Sequence, residues 1–145
     1  MRVSDILSPS VVTVDLGASL AEAVGKMLDD DVGSAVVTDD GVPGAMITEH
    51  DVLDATYQTD EPLSSIPVRA AASAPLVTIG PSASARRAAE EMDDHGVHRL
   101  VVVDGLDVVG VVSTTDLIRN YTGIRVDERK RADAEYEWLT REEMR

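Results

Sequence analysis

Two segments of the chain place a hydroxyl residue three positions before an aspartate, each at the end of an apolar run. The first pair is Thr48 and Asp51, and the second is Ser113 and Asp116. At the start of a helix, such a hydroxyl and the free backbone N–H groups beside it suit a phosphate. An aspartate one turn into the helix can accept both hydroxyls of a ribose. The two pairs therefore indicate candidate sites for a nucleoside phosphate.

The same two patterns also have a purely structural interpretation. A hydroxyl residue followed three positions later by an acidic residue is a form of the capping box, which starts many helices that bind nothing. On this interpretation, Thr48 and Ser113 only cap helices. The pattern alone leaves both alternatives open, so the elements around it have to be considered.

The two sites are related by an internal repeat with an offset of 65 residues. Residues 3–56 align with residues 68–121 without a gap, and 14 positions are identical. Asp51 falls on Asp116, which places the two candidate sites at the same point of each copy. Self-similarity of this kind predicts two supersecondary units of one type.

Each copy has the pattern of a β-α-β-β-α unit. An extended apolar run precedes a helix that starts at Ser19 or Ser84, and two β-branched runs follow. Asp-Gly turns separate those two runs, and a second helix starts at Thr48 or Ser113. We expect an α/β fold in which the two units pack around a pseudo-twofold axis. The predicted division is repeat 1 at 3–56, a linker at 57–67, repeat 2 at 68–121 and a charged C-terminal helix at 122–145.

The composition excludes several classes of function. The formal net charge is −14, and a basic stripe for nucleic acid or an anionic membrane is absent from the sequence. There is no cysteine, no signal peptide and no apolar stretch long enough to span a membrane. We therefore expect a soluble, cytoplasmic protein that binds neither nucleic acid nor membrane.

Taken together, these features resemble the CBS domain, and two tandem copies resemble a Bateman module. The resemblance covers about residues 3–121. It rests on the opening Val3-Ser4-Asp5-Ile6-Leu7, the Val-Thr-Val strand at 12–14, the strands ending in Asp39 and Asp104, and the two hydroxyl-x-x-Asp closers.

This resemblance implies a ligand and a set of binding residues. CBS pairs bind adenosine-bearing ligands such as AMP, ADP, ATP or S-adenosylmethionine in the clefts between their two copies. The closing aspartate takes the ribose hydroxyls, and the Ser or Thr lies near the phosphates. Carried over, this implicates Thr48 and Asp51 in one cleft, and Ser113, Thr115 and Asp116 in the other.

Repeat 2 carries two further candidate residues, His98 and Arg99. The segment around them is similar to one in the nucleotide-sensing γ subunit of AMP-activated protein kinase, where the His and Arg reach ligand phosphate. An arginine is a permanently charged fork for phosphate oxygens. Repeat 1 has Gly33 and Ser34 at these positions, so we expect inequivalent clefts. The sequence leaves open which cleft Arg99 faces.

Two positions of repeat 1 depart from the family pattern. Ala45 stands where repeat 2 has a glycine, and we expect it to crowd the Asp51 cleft. Pro43 allows only an edge strand or a strand start. Binding at Asp51 is therefore the weaker expectation, and Asp116 the stronger.

The leading hypothesis is a regulatory module that senses an adenosine ligand and signals to a separate, unknown effector protein. The alternative is an interaction or scaffold protein that binds no nucleotide. An enzyme is not expected, because the sequence shows no Ser-His-Asp grouping and the three histidines do not complete a metal site. We predict a homodimer, as Bateman modules commonly pair. The tail is either a solvated helix or a contact anchored by Trp138 and Leu139.

The acidic surface also predicts a response to salt. Aspartates number 17 and lysines only two, which is typical of a halophilic surface, although a merely acidic protein is the alternative. Screening by salt weakens the repulsion among so many carboxylates. We expect the melting temperature to rise by several degrees between dilute buffer and molar KCl. Equal melting temperatures in a scanning calorimeter would argue for the alternative.

Overall fold

The computed structural model describes residues 1–73 and 76–121. Each repeat builds its own three-stranded sheet with helices around it. The elements of repeat 1 are α1 (Val3–Ile6), β1 (Thr13–Asp15), α2 (Leu20–Asp29), β2 (Ser34–Asp39), β3 (Val42–Thr48) and α3 (Glu49–Thr59). After a 3-10 turn at Leu63–Ser65, repeat 2 contains α4 (Val68–Ala71), β4 (Thr78–Ile79), α5 (Ala85–His95), β5 (Arg99–Asp104), β6 (Asp107–Ser113) and α6 (Thr114–Tyr121).

The predicted order of elements is confirmed, with one addition. Each repeat opens with a single-turn helix, α1 or α4, which the predicted β-α-β-β-α order does not contain. In α1 the Arg2 N–H donates to Asp5 Oδ2 at 2.8 Å, which gives one of the otherwise unpaired N–H groups at the helix start a partner. Short apolar segments with a local acidic cap can thus close one helical turn that periodicity does not reveal.

The two sheets have the same topology. In each, the central strand pairs in parallel with the first strand and antiparallel with the third, in the orders β1-β2-β3 and β4-β5-β6. Both hairpins contain a register shift at the equivalent place, after Val37 and after Val102. Pro43 lies opposite Thr38 on the edge strand β3, as the missing proline N–H requires.

Both hairpins close through two-residue turns, but only the turn of repeat 1 consists of Asp-Gly; in repeat 2 Asp104 ends β5, and the turn residues are Gly105 and Leu106. Asp40 and Gly41 have φ values of 52° and 79°, and in repeat 2 Gly105 has a φ of 63°. Such turns match the twist of the strands that they join, and aspartate and glycine are the residues that tolerate positive φ.

Serine caps start the first long helix of each repeat. Ser19 Oγ accepts the Glu22 N–H at 3.3 Å, and Ser84 Oγ accepts the Arg87 N–H at 3.0 Å. Helix α2 buries Leu20, Ala23 and Met27 against the sheet, and α5 buries Ala88 and Met92. Leu28 is exposed although its neighbour Met27 is buried, because consecutive residues of a helix are about 100° apart around its axis and Leu28 lies to the side of the buried face.

The hydrophobic cores cross the boundary between the repeats. Ile66 and Val68, which precede the sheet of repeat 2, are buried in the core of repeat 1. Val3 and Ile6, which precede the sheet of repeat 1, are buried in the core of repeat 2. Each sheet is therefore covered in part by the opening segment of the other repeat.

Backbone hydrogen bonds hold these exchanged segments in place. The Leu20 N–H donates to Ile66 O at 2.8 Å, and the Val3 N–H donates to Ala83 O at 2.8 Å. Further along, Ser73 pairs with Met46 on β3, and Ser8 pairs with Val111 on β6. The two bridges are equivalent under the 65-residue offset, so the exchange follows the pseudo-twofold symmetry.

The segment predicted as a linker, residues 57–67, contains the end of α3 and the 3-10 turn. Helix α3 continues to Thr59 and ends at Asp60, which has a left-handed conformation. The 3-10 turn follows, and Ile66 then enters the core. The predicted charged helix at 122–145, with Trp138 and Leu139, lies outside the described residues.

Gly110 on β6 allows a close approach by the exchanged segment of repeat 1. A Cβ atom at this position would lie 2.6 Å from Leu7 Cδ1 and 2.6 Å from the backbone oxygen of Ser8. In repeat 1, Ala45 is equivalent to Gly110 and Ala72 is equivalent to Leu7. The strand residue is therefore larger than in repeat 2, and its partner in the exchanged segment is smaller.

We expect Gly110→Ala to lower the free energy of unfolding by about 1–3 kcal/mol, because the backbone oxygen of Ser8 cannot move aside as a side chain can. Equilibrium urea denaturation measures this change. Gly44→Ala is the matched control on β3, where an added Cβ meets no atom within 4 Å. Equal losses in the two variants would contradict the close approach.

Candidate functional site

The first candidate pair lies where β3 becomes α3. The Asp51 N–H donates to Thr48 Oγ1 at 3.3 Å, and the Thr48 N–H donates to Asp51 Oδ2 at 2.8 Å. The Thr48 hydroxyl also donates to the same carboxylate oxygen, at 3.0 Å. The pair is thus a complete capping box, and both side chains are held in fixed positions at the helix start.

The second pair repeats this arrangement between β6 and α6. The Ser113 N–H donates to Asp116 Oδ2 at 2.8 Å, and the Asp116 N–H donates to Ser113 Oγ at 3.1 Å. Capping and ligand binding are therefore not exclusive, because the capping bonds use one carboxylate oxygen and leave the other for a different partner.

Asp51 differs from Asp116 at that other oxygen. The Ser73 hydroxyl donates to Asp51 Oδ1 at 3.0 Å. Ser8 is the equivalent of Ser73, yet within the part of the chain that the structure describes no hydrogen bond reaches Asp116 Oδ1. The two carboxylates are therefore equivalent in position, but among the described residues only Asp51 has a hydrogen bond on both of its oxygens.

The first cleft, of about 450 Å³, contains Thr48 and Asp51 and opens between the repeats. Its polar side is formed by the closing residues of repeat 1 and by Ser73, His98 and Arg99 of repeat 2. The other lining residues are Met46, His50, Leu76, Val77 and Val97. A wall of aliphatic side chains facing a carboxylate suits a flat apolar base joined to a sugar.

The second cleft, of about 690 Å³, contains Ser113, Thr115 and Asp116. It is related to the first by the pseudo-twofold axis, so Gly33 and Ser34 of repeat 1 occupy the places of His98 and Arg99. The remaining lining residues are Ser8, Ser10, Asp31, Val32, His98, Arg99, Val111, Thr114 and Arg119. This cleft is wider and more polar than the first.

Arg99 and His98 line both clefts, which answers the question that the sequence left open. The absence of a side chain at Gly33 makes room for this arrangement, because a Cβ there would lie 3.0 Å from Arg99 Nη2 and 2.8 Å from Glu49 Oε1. Among residues 1–73 and 76–121, no ion pair joins Arg99 to a carboxylate. The Glu49 carboxylate nevertheless lies near the guanidinium on the other side of Gly33, so it is the negative charge that an anion in either cleft would meet beside Arg99.

Several residues lie differently from what the sequence suggested. Ala45 packs in the core of repeat 1 and does not line the first cleft, so it does not crowd that cleft. His50 is exposed and also lines the first cleft, a place that the sequence did not indicate. Ser73 also lines the first cleft and was not among the predicted residues; its identity with Ser8 under the 65-residue offset does not indicate what it contacts.

In the described ranges there is no group of three or more histidine, aspartate or glutamate side chains arranged to hold a metal ion. Every helix in those same ranges is too short or too polar to cross a bilayer.

The fold and the paired clefts define a tandem α/β module with two related ligand-sized openings. The family profile described as "CBS domain" matches residues 3–57 and 66–123. The chain belongs to the CBS-domain family and contains two tandem repeats of that domain.

The chain is similar in sequence to one protein and in structure to two solved proteins that are described here. Uncharacterized protein MJ1404 of Methanocaldococcus jannaschii is 30% identical over 131 residues, which cover 81% of this chain and only 31% of that protein. CBS domain protein PAE2072 from Pyrobaculum aerophilum, solved in complex with AMP, is 27% identical with a TM-score of 0.74, covering 88% of this chain and 97% of that one. The CBS domain pair of protein MJ0100, solved with 5′-methylthioadenosine and S-adenosyl-L-methionine, has a TM-score of 0.75 at 23% identity, covering 85% and 97%.

Proposed function

We propose that this chain is a regulatory module that binds an adenosine-containing ligand in the clefts between its two repeats. The candidate ligands are AMP, ADP, ATP and S-adenosylmethionine. Ligand binding alters the packing of the repeats, and a separate cytoplasmic effector protein reads the change. The proposal is for binding and not for turnover.

One observation carries this proposal. In each cleft a helix-start carboxylate and hydroxyl lie in the same cleft as the guanidinium of Arg99, which has no carboxylate partner among the described residues. A carboxylate accepts the ribose hydroxyls, and a guanidinium binds phosphate oxygens through paired hydrogen bonds. A nucleoside monophosphate carries both of these groups, so one ligand molecule could use the carboxylate and the guanidinium of the same cleft.

The proposed roles follow from position. Asp51 and Asp116 accept the ribose hydroxyls, and Thr48, Ser113 and Thr115 lie beside the phosphate. The aliphatic wall of the first cleft is proposed to hold the adenine ring. Arg99 and His98 serve whichever cleft holds a phosphate. The AMP bound to PAE2072 supports this class of ligand.

We expect AMP to raise the melting temperature in a thermal-shift assay in high salt, with ADP, ATP, S-adenosylmethionine and NAD run alongside. Ligand at about 100 times its Kd adds about 2.7 kcal/mol to the free energy of unfolding. Asp116→Ala should reduce the shift more than Asp51→Ala, because the carboxylate of Asp51 is already bonded through both oxygens.

A phosphate-specific control accompanies this experiment. Arg99→Gln should weaken AMP binding by about tenfold and leave adenosine binding unchanged, because only AMP carries the oxygens that a guanidinium bonds. Isothermal titration measures both. If no ligand changes the melting temperature of the wild-type protein, the clefts have no nucleotide role and the scaffold alternative replaces this proposal.

We also propose that the module is a homodimer paired through α3 and α6. Leu53 on α3 and Ile118 on α6 are equivalent positions that expose 69% and 53% of their surface. Tyr57 extends the same face of α3 by one turn, and α3 buries no residue within the chain. A second copy related by a twofold axis covers both helices at once, since each copy presents the same pair of faces.

We expect Leu53→Glu to convert the dimer to a monomer, because the new charge would be buried without a partner at the interface. Light scattering in high salt measures the mass. Leu106→Glu is the matched control, since Leu106 is 97% exposed at the tip of the second hairpin and should leave the dimer intact. A wild-type protein with a monomer mass removes the proposal.

A further inference from the structure

The difference between the two carboxylates has a consequence for the order in which the clefts are filled. Asp51 receives hydrogen bonds on both oxygens from its own chain. Thr48 bonds Oδ2, with its N–H at 2.8 Å and its hydroxyl at 3.0 Å, and Ser73 bonds Oδ1 at 3.0 Å. Asp116 receives only the bond from the Ser113 N–H, at 2.8 Å, within the described residues.

A displacement of the backbone does not account for this difference. Ser73 exchanges two backbone hydrogen bonds with Met46, at 3.0 and 2.8 Å. Ser8 exchanges the equivalent two with Val111, at 2.9 and 2.8 Å. Both serines are therefore anchored in the same way beside their carboxylates, and only the hydroxyl of Ser73 is turned onto its aspartate.

We propose that the Ser73 hydroxyl is an internal competitor of the ligand in the first cleft. It occupies one of the two lone-pair positions of Asp51 Oδ1 that the two hydroxyls of a ribose would use. This inference rests on the proposed function. A ligand in the first cleft can place both ribose hydroxyls on Oδ1 only by displacing Ser73, whereas within the described residues Asp116 Oδ1 has both positions available.

The contact thus acts as a latch that sets the affinities of two otherwise related clefts. The second cleft fills first, and the first cleft responds only at higher ligand concentration. Because Ser73 belongs to repeat 2 and Asp51 to repeat 1, opening the latch also releases a side-chain contact between the repeats. The Ser73 hydroxyl therefore raises the ligand concentration that is needed to fill the first cleft.

The test isolates the first cleft by using an Asp116→Ala background and measures AMP binding by isothermal titration. Adding Ser73→Ala should tighten AMP binding by about three- to tenfold, the range expected when one competing hydrogen bond is removed. Ser73→Thr keeps the hydroxyl and should leave the affinity unchanged. The matched control is Ser8→Ala in an Asp51→Ala background, which removes no competing bond and should change the affinity by less than about twofold.

A second ligand separates competition from a general change in the cleft. The 2′,3′-dideoxy analogue of AMP has no ribose hydroxyls to place on Asp51, so Ser73→Ala should not tighten its binding. Melting temperatures of all variants without ligand verify that each is folded.

Two results would overturn the latch in different ways. If AMP binds the wild-type protein and Ser73→Ala leaves the affinity unchanged or lowers it, Ser73 is not a competitor, and the proposed function stands without it. If AMP and the other candidate ligands bind neither the wild-type protein nor any folded variant, the proposed function fails and the latch fails with it.

Discussion

The exchange of opening segments between the repeats is the constraint on which the rest of the structure depends. Each three-stranded sheet has too few helices of its own to cover it, and the missing apolar surface comes from the other repeat. Ile66 and Val68 fill the core of repeat 1, and Val3 and Ile6 fill the core of repeat 2. Removing such buried side chains from water is the dominant favourable contribution to folding. Each core is therefore complete only when the two repeats are paired, and the repeats are not two separately folded domains that associate afterwards.

The clefts are a product of the same exchange. The strand bridges between Met46 and Ser73 and between Ser8 and Val111 bring the end of each opening segment beside the closing helix of the other repeat. Each candidate aspartate thereby acquires a neighbour that is distant in sequence. A helix start that would otherwise be an ordinary cap becomes one wall of a cleft, and the opposite wall carries the charge of Arg99.

The local features of the fold could be predicted from the sequence, and the long-range ones could not. The β-branched strands, the two-residue hairpin turns and the serine caps depend on neighbouring residues, so the 65-residue repeat displays them twice. The exchange of Val3 and Ile6 leaves no local trace, because an apolar pair predicts burial without naming its partner. For the same reason the sequence pointed to Asp51 and Asp116 as candidates but could not reveal that Ser73 reaches one of them. The direction of Arg99 depends on the empty space at Gly33, 66 positions earlier in the chain.

The interleaved cores also determine how the molecule can come apart. Neither half can unfold while the other stays intact, since withdrawing one opening segment uncovers apolar surface on its neighbour. We therefore expect the two repeats to melt as a single cooperative unit despite their duplicated architecture. A ligand bound in one cleft should then slow the exchange of amide hydrogens with solvent in both sheets, including the sheet that it does not contact.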